Sequence, residues 1–154
     1  MNIILTRGEK STVDYKEYKN ISSFKWCCTL HGGKKYATRN SKGNRTIYLH
    51  RQIMDFPVGL VVDHINGDTL DNRRTNLRIC TQKENIRNSK MFNTNTSGYR
   101  GVTFRKDRGK WASQIMINDK HISLGMYLDK KKAAKAYNTK SKELFGEFSF
   151  QNKV

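Results

Sequence analysis

The chain has 154 residues, 30 Lys and Arg against 13 Asp and Glu, a formal net charge of +17 and a 36% hydrophobic content, which bounds it to one ordinary domain or two small ones with modest cores. So large a cationic excess repels itself unless a polyanion neutralises it, and nucleic acid is therefore the first candidate partner. Several classes are excluded: no segment reaches the roughly 18 continuous apolar residues of a membrane span, the start MNIILTRGEK stops short of a signal-peptide core, and Cys27, Cys28 and Cys80 form neither a CxxC pair nor a disulfide framework. A non-secreted, cytoplasmic chain with small buried thiols is expected.

In chain order, FKWCCTL, KKYATR and RTIYLHR are short aromatic and β-branched runs separated by HGG and NSKGN, the pattern of a small antiparallel meander. One or two helical turns follow over Leu49–Met54, and Pro57 in DFPVGL marks a turn. A strand over 60–63, a loop rich in Asn, Asp and Gly, a second strand over 77–80 and a helix come next. The helix start is set by Thr81 and Glu84, whose spacing has the capping-box form, and Asn85 falls in its first turn. Periodicity then lapses in NSKMFNTNTSG, where a linker is expected.

From Tyr99 onward YRGVTFR, KWASQIMIN and HISLGMY read as three strands joined by hairpin turns at KDRG and NDKH. In the middle strand Trp111, Ser113, Ile115 and Ile117 point one way and Ala112, Gln114 and Met116 the other. Asp129 is an N-cap for the last helix, Ala133, Ala136, Tyr137, Leu144 and Phe145 make its apolar stripe, and Gly146 is its stop. The expected class is α+β, with an N-terminal β region over 1–50, a hairpin-and-helix core over 51–92, a linker over 93–97, and a three-stranded antiparallel sheet packed on one helix over 98–152.

The stretch VDHINGDTLDNRRTNLRICTQKEN gathers Asp63, His64, Asp68 and Asp71 inside this basic chain, and acidic residues where a polyanion should bind usually hold something positive. An Asp oxygen and an Asn amide oxygen are hard ligands suited to Mg²⁺ or Mn²⁺, with positions left for phosphate and water. His64 beside them has the right ordinary pKa to take a proton from water. Neighbouring strand residues face opposite ways, so both serve one site only where the strand ends or twists at Asp63. Asp68 and Asp71 are expected to shape turns.

VDHINGD, DNRRTNLR and TQKENIRN resemble the HNH endonucleases, in particular the phage and intron-encoded homing type with Asn in place of the last His. The resemblance implies a ββα-metal nuclease core with Asp63 and Asn85 as ligands of one Mg²⁺ or Mn²⁺, His64 as general base, and Asn76 tying the loop and orienting the base. His50 also matches a common family position, read here as structural.

YRGVTFRKDRGKWASQIMIN, ISLGMY, AAKAYN and LFGEFSFQN resemble the plant APETALA2/ethylene-response-factor DNA-binding domain over Gly98–Asn152. By position, Arg100, Gly101, Thr103, Arg105, Arg108, Gln114, Met116, His121, Ser123, Met126 and Tyr137 match its DNA-contacting places. Met116 and Ser123 depart from the plant residue types, so the plant target sequence does not carry over. Apart from any resemblance, Arg100, Arg105 and Arg108 are fork donors for guanine or phosphate, and Gln114 can pair bidentately with adenine.

The two resemblances together imply a homing-type, metal-dependent endonuclease that cuts duplex DNA to 5′-phosphate and 3′-hydroxyl ends. It would act as a monomer or as a dimer on DNA, in a phage-infected or bacterial cell. Lys25, Lys34, Lys35, Arg39, Arg45, Arg73, Arg74 and Arg87 are candidates for further phosphate contacts, or plain solubility residues. A DNA-binding regulator with a degenerate nuclease fold is the alternative; an RNA-binding role fits less well, because the sheet lacks stacking aromatics.

Overall fold

The computed structural model describes residues 1–88 and 95–154, so residues 93 and 94 of the expected linker lie outside the described residues. The chain divides into two compact units, Met1–Asn85 and Ile86–Val154. The architecture is α+β throughout.

The first unit opens with an antiparallel pair, β1 (Asn2–Ile4) and β2 (Lys10–Thr12), followed by α1 (Tyr15–Ile21). The expected meander follows as β3 (Cys27–His31), β4 (Lys34–Asn40) and β5 (Thr46–Tyr48), and α2 (Leu49–Ile53) continues directly from it. The hairpin of β6 (Val61–His64) and β7 (Leu77–Cys80) then leads into α3 (Gln82–Asn88). The start of α3 is closed reciprocally: the Thr81 amide donates to Glu84 Oε2 at 2.8 Å, and the Glu84 amide donates to Thr81 Oγ1 at 3.3 Å.

A two-stranded hairpin with one short helix buries too little apolar surface to stand alone. Here Val62 and Leu77 of the hairpin join Ile3, Leu5, Val13, Ile21, Trp26, Ala37, Leu49 and Ile53 in a single hydrophobic cluster. Trp26 anchors it, fully buried, with its indole N–H donated to the Ile21 carbonyl at 2.9 Å. The N-terminal strands are thus the floor on which the hairpin is built.

In the second unit β8 (Val102–Arg105), β9 (Lys110–Ile117) and β10 (Lys120–Tyr127) form an antiparallel sheet with β9 in the centre, and α4 (Lys130–Phe145) packs on one face. Asp129 caps α4, its carboxylate accepting from the Lys131 amide at 2.8 Å. The buried line of α4 runs through Ala133, Ala134, Tyr137 and Ser141, while Ala136, Leu144 and Phe145 of the expected stripe are only half-buried. The two alanines let the helix backbone approach the sheet closely. The C-terminal segment is pinned by Asn152, whose side chain takes the Arg100 amide at 2.7 Å while its own amide donates to Asn138 at 2.7 Å.

Candidate active site

The loop between β6 and β7 is held by its own polar side chains. Asn66 Oδ1 accepts the Asp68 amide at 2.8 Å and Asp68 Oδ1 accepts the Leu70 amide at 3.0 Å, two successive Asx turns. Asn76 straps the loop across its base, accepting the Asn66 amide at 3.0 Å and donating to the Asp71 carbonyl at 2.8 Å. Asp71 is clamped by the Arg73 guanidinium at 2.8 and 2.7 Å, which holds its carboxyl below the usual carboxylate range. Strand β2 grips the same loop from outside, with the Thr12 amide donating to the Leu70 carbonyl at 2.9 Å and the Asn72 amide to the Thr12 carbonyl at 2.7 Å.

His64 is the last residue of β6, opposite Leu77, and is 5% exposed. Its Nε2 lies 3.1 Å from Asn72 Oδ1. Asp63 sits one position earlier, opposite Arg78, whose Nε and Nη2 both reach the Asp63 carboxylate, at 3.0 and 2.8 Å. The strand pairing runs through both residues without a register shift and ends at His64. By alternation the carboxylate and the imidazole leave opposite faces of the hairpin. A phosphate within reach of both would therefore lie at the strand's end, where β6 turns into the loop.

Behind His64 stands a stack of rings. His50, from α2, meets His64 edge-on at 5.1 Å and is itself packed against Tyr36 at 5.8 Å and Tyr48 at 5.5 Å. Burial first, then the neighbouring His64 and Arg51, push the His50 pKa down to about 3. Burial likewise lowers His64, against the opposing effect of its hydrogen bond to Asn72. Both imidazoles are therefore kept neutral in the folded chain. Between the ordinary value of 6.5 and about 3 the unfolded chain binds the His50 proton and the folded chain does not. Stability from His50 is thus complete above pH 6.5 and is lost as the pH falls toward 3, with a slope of about 1.4 kcal/mol per pH unit for this group alone. Urea denaturation at pH 7 and pH 5 should show this loss, and His50→Leu should flatten it.

Asn85 lies in the first turn of α3, its amide donated to the Thr81 carbonyl at 3.0 Å. Together with Asp63 it offers a carboxylate and an amide oxygen, a hard donor pair that fits Mg²⁺ or Mn²⁺. No group of three or more His, Cys, Asp or Glu suited to a metal occurs among the described residues, and Arg78 already balances the Asp63 charge.

The second unit presents one uncovered face of its sheet. Register places Thr103 opposite Ala112, Gln114 opposite Ser123, Met116 opposite His121 and Met126 opposite Ala112, all on the side away from α4. Arg105 and Arg108 border a concavity on that face, of about 400 Å³, lined also by Gln114, Ser123 and Met126. Three further positions expected to meet DNA, Tyr137, Gly101 and Arg100, make contacts within the unit. Tyr137 is buried on the α4 side, and its ring occupies the space that a side chain at Gly101 would fill. Arg100 donates to the Arg87 carbonyl at 2.5 Å and stacks on Phe150. Of the additional cations, Lys35 pairs with Glu9, Arg74 with Glu17 and Arg73 with Asp71. Arg39 binds Gln52 and stacks on Phe24. No helix among the described residues is long and apolar enough to cross a membrane.

Residues 55–87, which contain this hairpin, its loop and the first turns of α3, match the family model for HNH endonucleases. The chain is also 33% identical over 93 residues to "Protein 3.8" of Escherichia phage T7, covering 60% of this chain and 76% of that protein. Residues 55–87 thus form an HNH endonuclease domain. The chain is further similar to "Uncharacterized HNH endonuclease L560" of Acanthamoeba polyphaga mimivirus, at 27% identity over 149 residues, 96% of this chain and 77% of that one. The HNH match ends at residue 87 and leaves the C-terminal sheet outside it. Within the HNH segment, sequence reasoning missed Asn72 and Arg78. Both are polar residues whose role depends on which strand position they face, and only the pairing register shows that.

Proposed function

We propose that the chain is a divalent-metal-dependent endonuclease that hydrolyses a phosphodiester in duplex DNA, leaving 5′-phosphate and 3′-hydroxyl ends. The observation that carries this reading is that the HNH-matching segment folds as a hairpin and a helix, with Asp63 and His64 at the end of β6 and Asn85 in the first turn of α3. His64, held neutral, would accept a proton from the water that attacks phosphorus while the P–O3′ bond breaks. Asp63 and Asn85 would hold the Mg²⁺ or Mn²⁺ ion, which when bound supplies charge stabilisation at the phosphate and the leaving oxygen. Asn76 would act at a distance, by keeping the loop closed.

In the same reading the C-terminal unit, like the APETALA2-type domains, binds duplex DNA through Thr103, Arg105, Arg108, Gln114, Met116, His121 and Ser123 on its open face. Arginine forks and Gln114 suit base edges and phosphates alike. Neutralising about six phosphates would make log affinity fall against log salt with a slope near −5. A filter-binding series from low to physiological salt checks this, and Arg105→Ala should make the slope shallower by about one. The homing type and action in a phage-infected or bacterial cell belong to the same proposal.

One observation favours a second reading: Arg78 already neutralises Asp63, as expected of a nuclease fold retained for binding alone. Product analysis separates the two. Nicks that DNA ligase reseals identify the hydrolytic reaction and its ends; duplex that is bound and never cut favours the regulator.

A further inference from the structure

The imidazole of His64 has two nitrogens, and only one tautomer leaves a lone pair where a base needs it. The surrounding hydrogen bonds decide which. Ser11, on β2 and wholly buried, donates its hydroxyl to the Leu70 carbonyl at 2.9 Å. A hydroxyl has one hydrogen, so towards Asn72 Ser11 can only accept, and it takes the Asn72 Nδ2 amide at 2.8 Å. That fixes the orientation of the buried Asn72 amide and turns its oxygen to His64 Nε2, at 3.1 Å. An amide oxygen cannot donate, so Nε2 must carry the hydrogen. All three side chains are shielded from water, with Ser11 at 0%, Asn72 at 1% and His64 at 5% exposure, and nothing from solvent competes for these bonds.

We propose that Ser11 and Asn72 are positioning residues that lock His64 in the tautomer with hydrogen on Nε2 and the lone pair on Nδ1, the atom that takes the proton in catalysis. The proposal rests on the reading of His64 as general base. It also assigns the N-terminal strand a part in the site: Ser11 lies 61 residues from Asn72 and outside the HNH-matching segment of residues 55–87. The β2 backbone bonds to Leu70 and Asn72 hold the hydroxyl in place, so the nuclease hairpin is completed by a residue that its own motif does not contain.

Ser11→Ala tests this with little change of volume. Without the acceptor, the Asn72 amide is free to turn its NH₂ toward His64, which selects the opposite tautomer. In long-range ¹H–¹⁵N spectra of the ¹⁵N-histidine-labelled full chain at pH 8, with the His64 signal identified by its loss in His64→Ala, the intact protein should show the Nε2-protonated pattern. Ser11→Ala should show the Nδ1-protonated pattern or a mixture. Single-turnover cleavage should slow by roughly 10–100-fold, as for other residues that orient a catalytic ligand, with DNA affinity unchanged. Adding Asn72→Asp to Ser11→Ala should restore the Nε2-protonated pattern, because a carboxylate presents an acceptor whichever way it turns. Two results would overturn the proposal: an Nδ1-protonated His64 in the intact chain, or an unaltered tautomer in Ser11→Ala. If the tautomer switches as described but the intact chain never cuts DNA, the relay stands and the nuclease reading falls.

Discussion

His64→Ala should cut DNA about 10²–10⁴-fold more slowly than the intact chain, with affinity for the same duplex within a few-fold. The expectation follows from placement: the ring is buried at the end of β6 and held between Asn72 and His50, so its loss removes the proposed proton acceptor and no cation. The substitution also strands the Asn72 oxygen, an unsatisfied buried acceptor that costs about 1–3 kcal/mol. Thermal unfolding of the variant should therefore accompany the kinetics, at a temperature where both proteins are folded. A parallel loss of binding and rate would assign His64 to DNA contact or to the fold, not to proton transfer.

The second large effect concerns the C-terminal unit. Gly101 has φ +72, and a Cβ there would stand 2.2 Å from the Tyr137 ring and 2.4 Å from the Gln114 carbonyl oxygen. The Gln114 amide donates to the Gly101 carbonyl at 2.8 Å, so neither backbone can withdraw without breaking the join between the β8 end and β9. Gly101→Ala combines left-handed strain with overpacking against backbone, and should destabilise this unit by about 3 kcal/mol or more. Each unit has one tryptophan, Trp26 in the first and Trp111 in the second. In ¹⁹F spectra of the fluorotryptophan-labelled variant the Trp111 signal should therefore melt early while that of Trp26 keeps its midpoint. Coincident melting of both would contradict the assignment of the strain to one unit. DNA binding through the sheet should fail together with the Trp111 signal.

What the sequence made legible was local. The Thr81–Glu84 box, the Asp129 cap and the turns at Asp68 and Asp71 work within two or three residues, and the structure forms each of them. The alternation through Trp111, Ser113 and Ile115 likewise reports a covered face directly. Contacts between distant segments were not legible. Nothing near Ser11 in the sequence marks it as the partner of Asn72, and Arg78 meets Asp63 only because β6 and β7 pair in that register. Helix α1 escaped notice because YKEYKNI carries little apolar periodicity and is held by Ile21 against Trp26, not by propensity. Tyr137 was expected both on the helix stripe and against DNA, and its ring is buried with the stripe, packed over Gly101.

Whether the hairpin and helix around His64 form a metal-dependent DNA-cutting site is decided on supercoiled plasmid carrying the flanks of the chain's own gene. The intact protein is incubated with Mg²⁺ or Mn²⁺, and in parallel with EDTA. Conversion to open-circle or linear DNA that requires the metal is the predicted result, and the ratio of the two forms reports nicking against double cutting. Plasmid that is shifted in a gel by the protein, yet stays supercoiled with every metal, would contradict the nuclease reading.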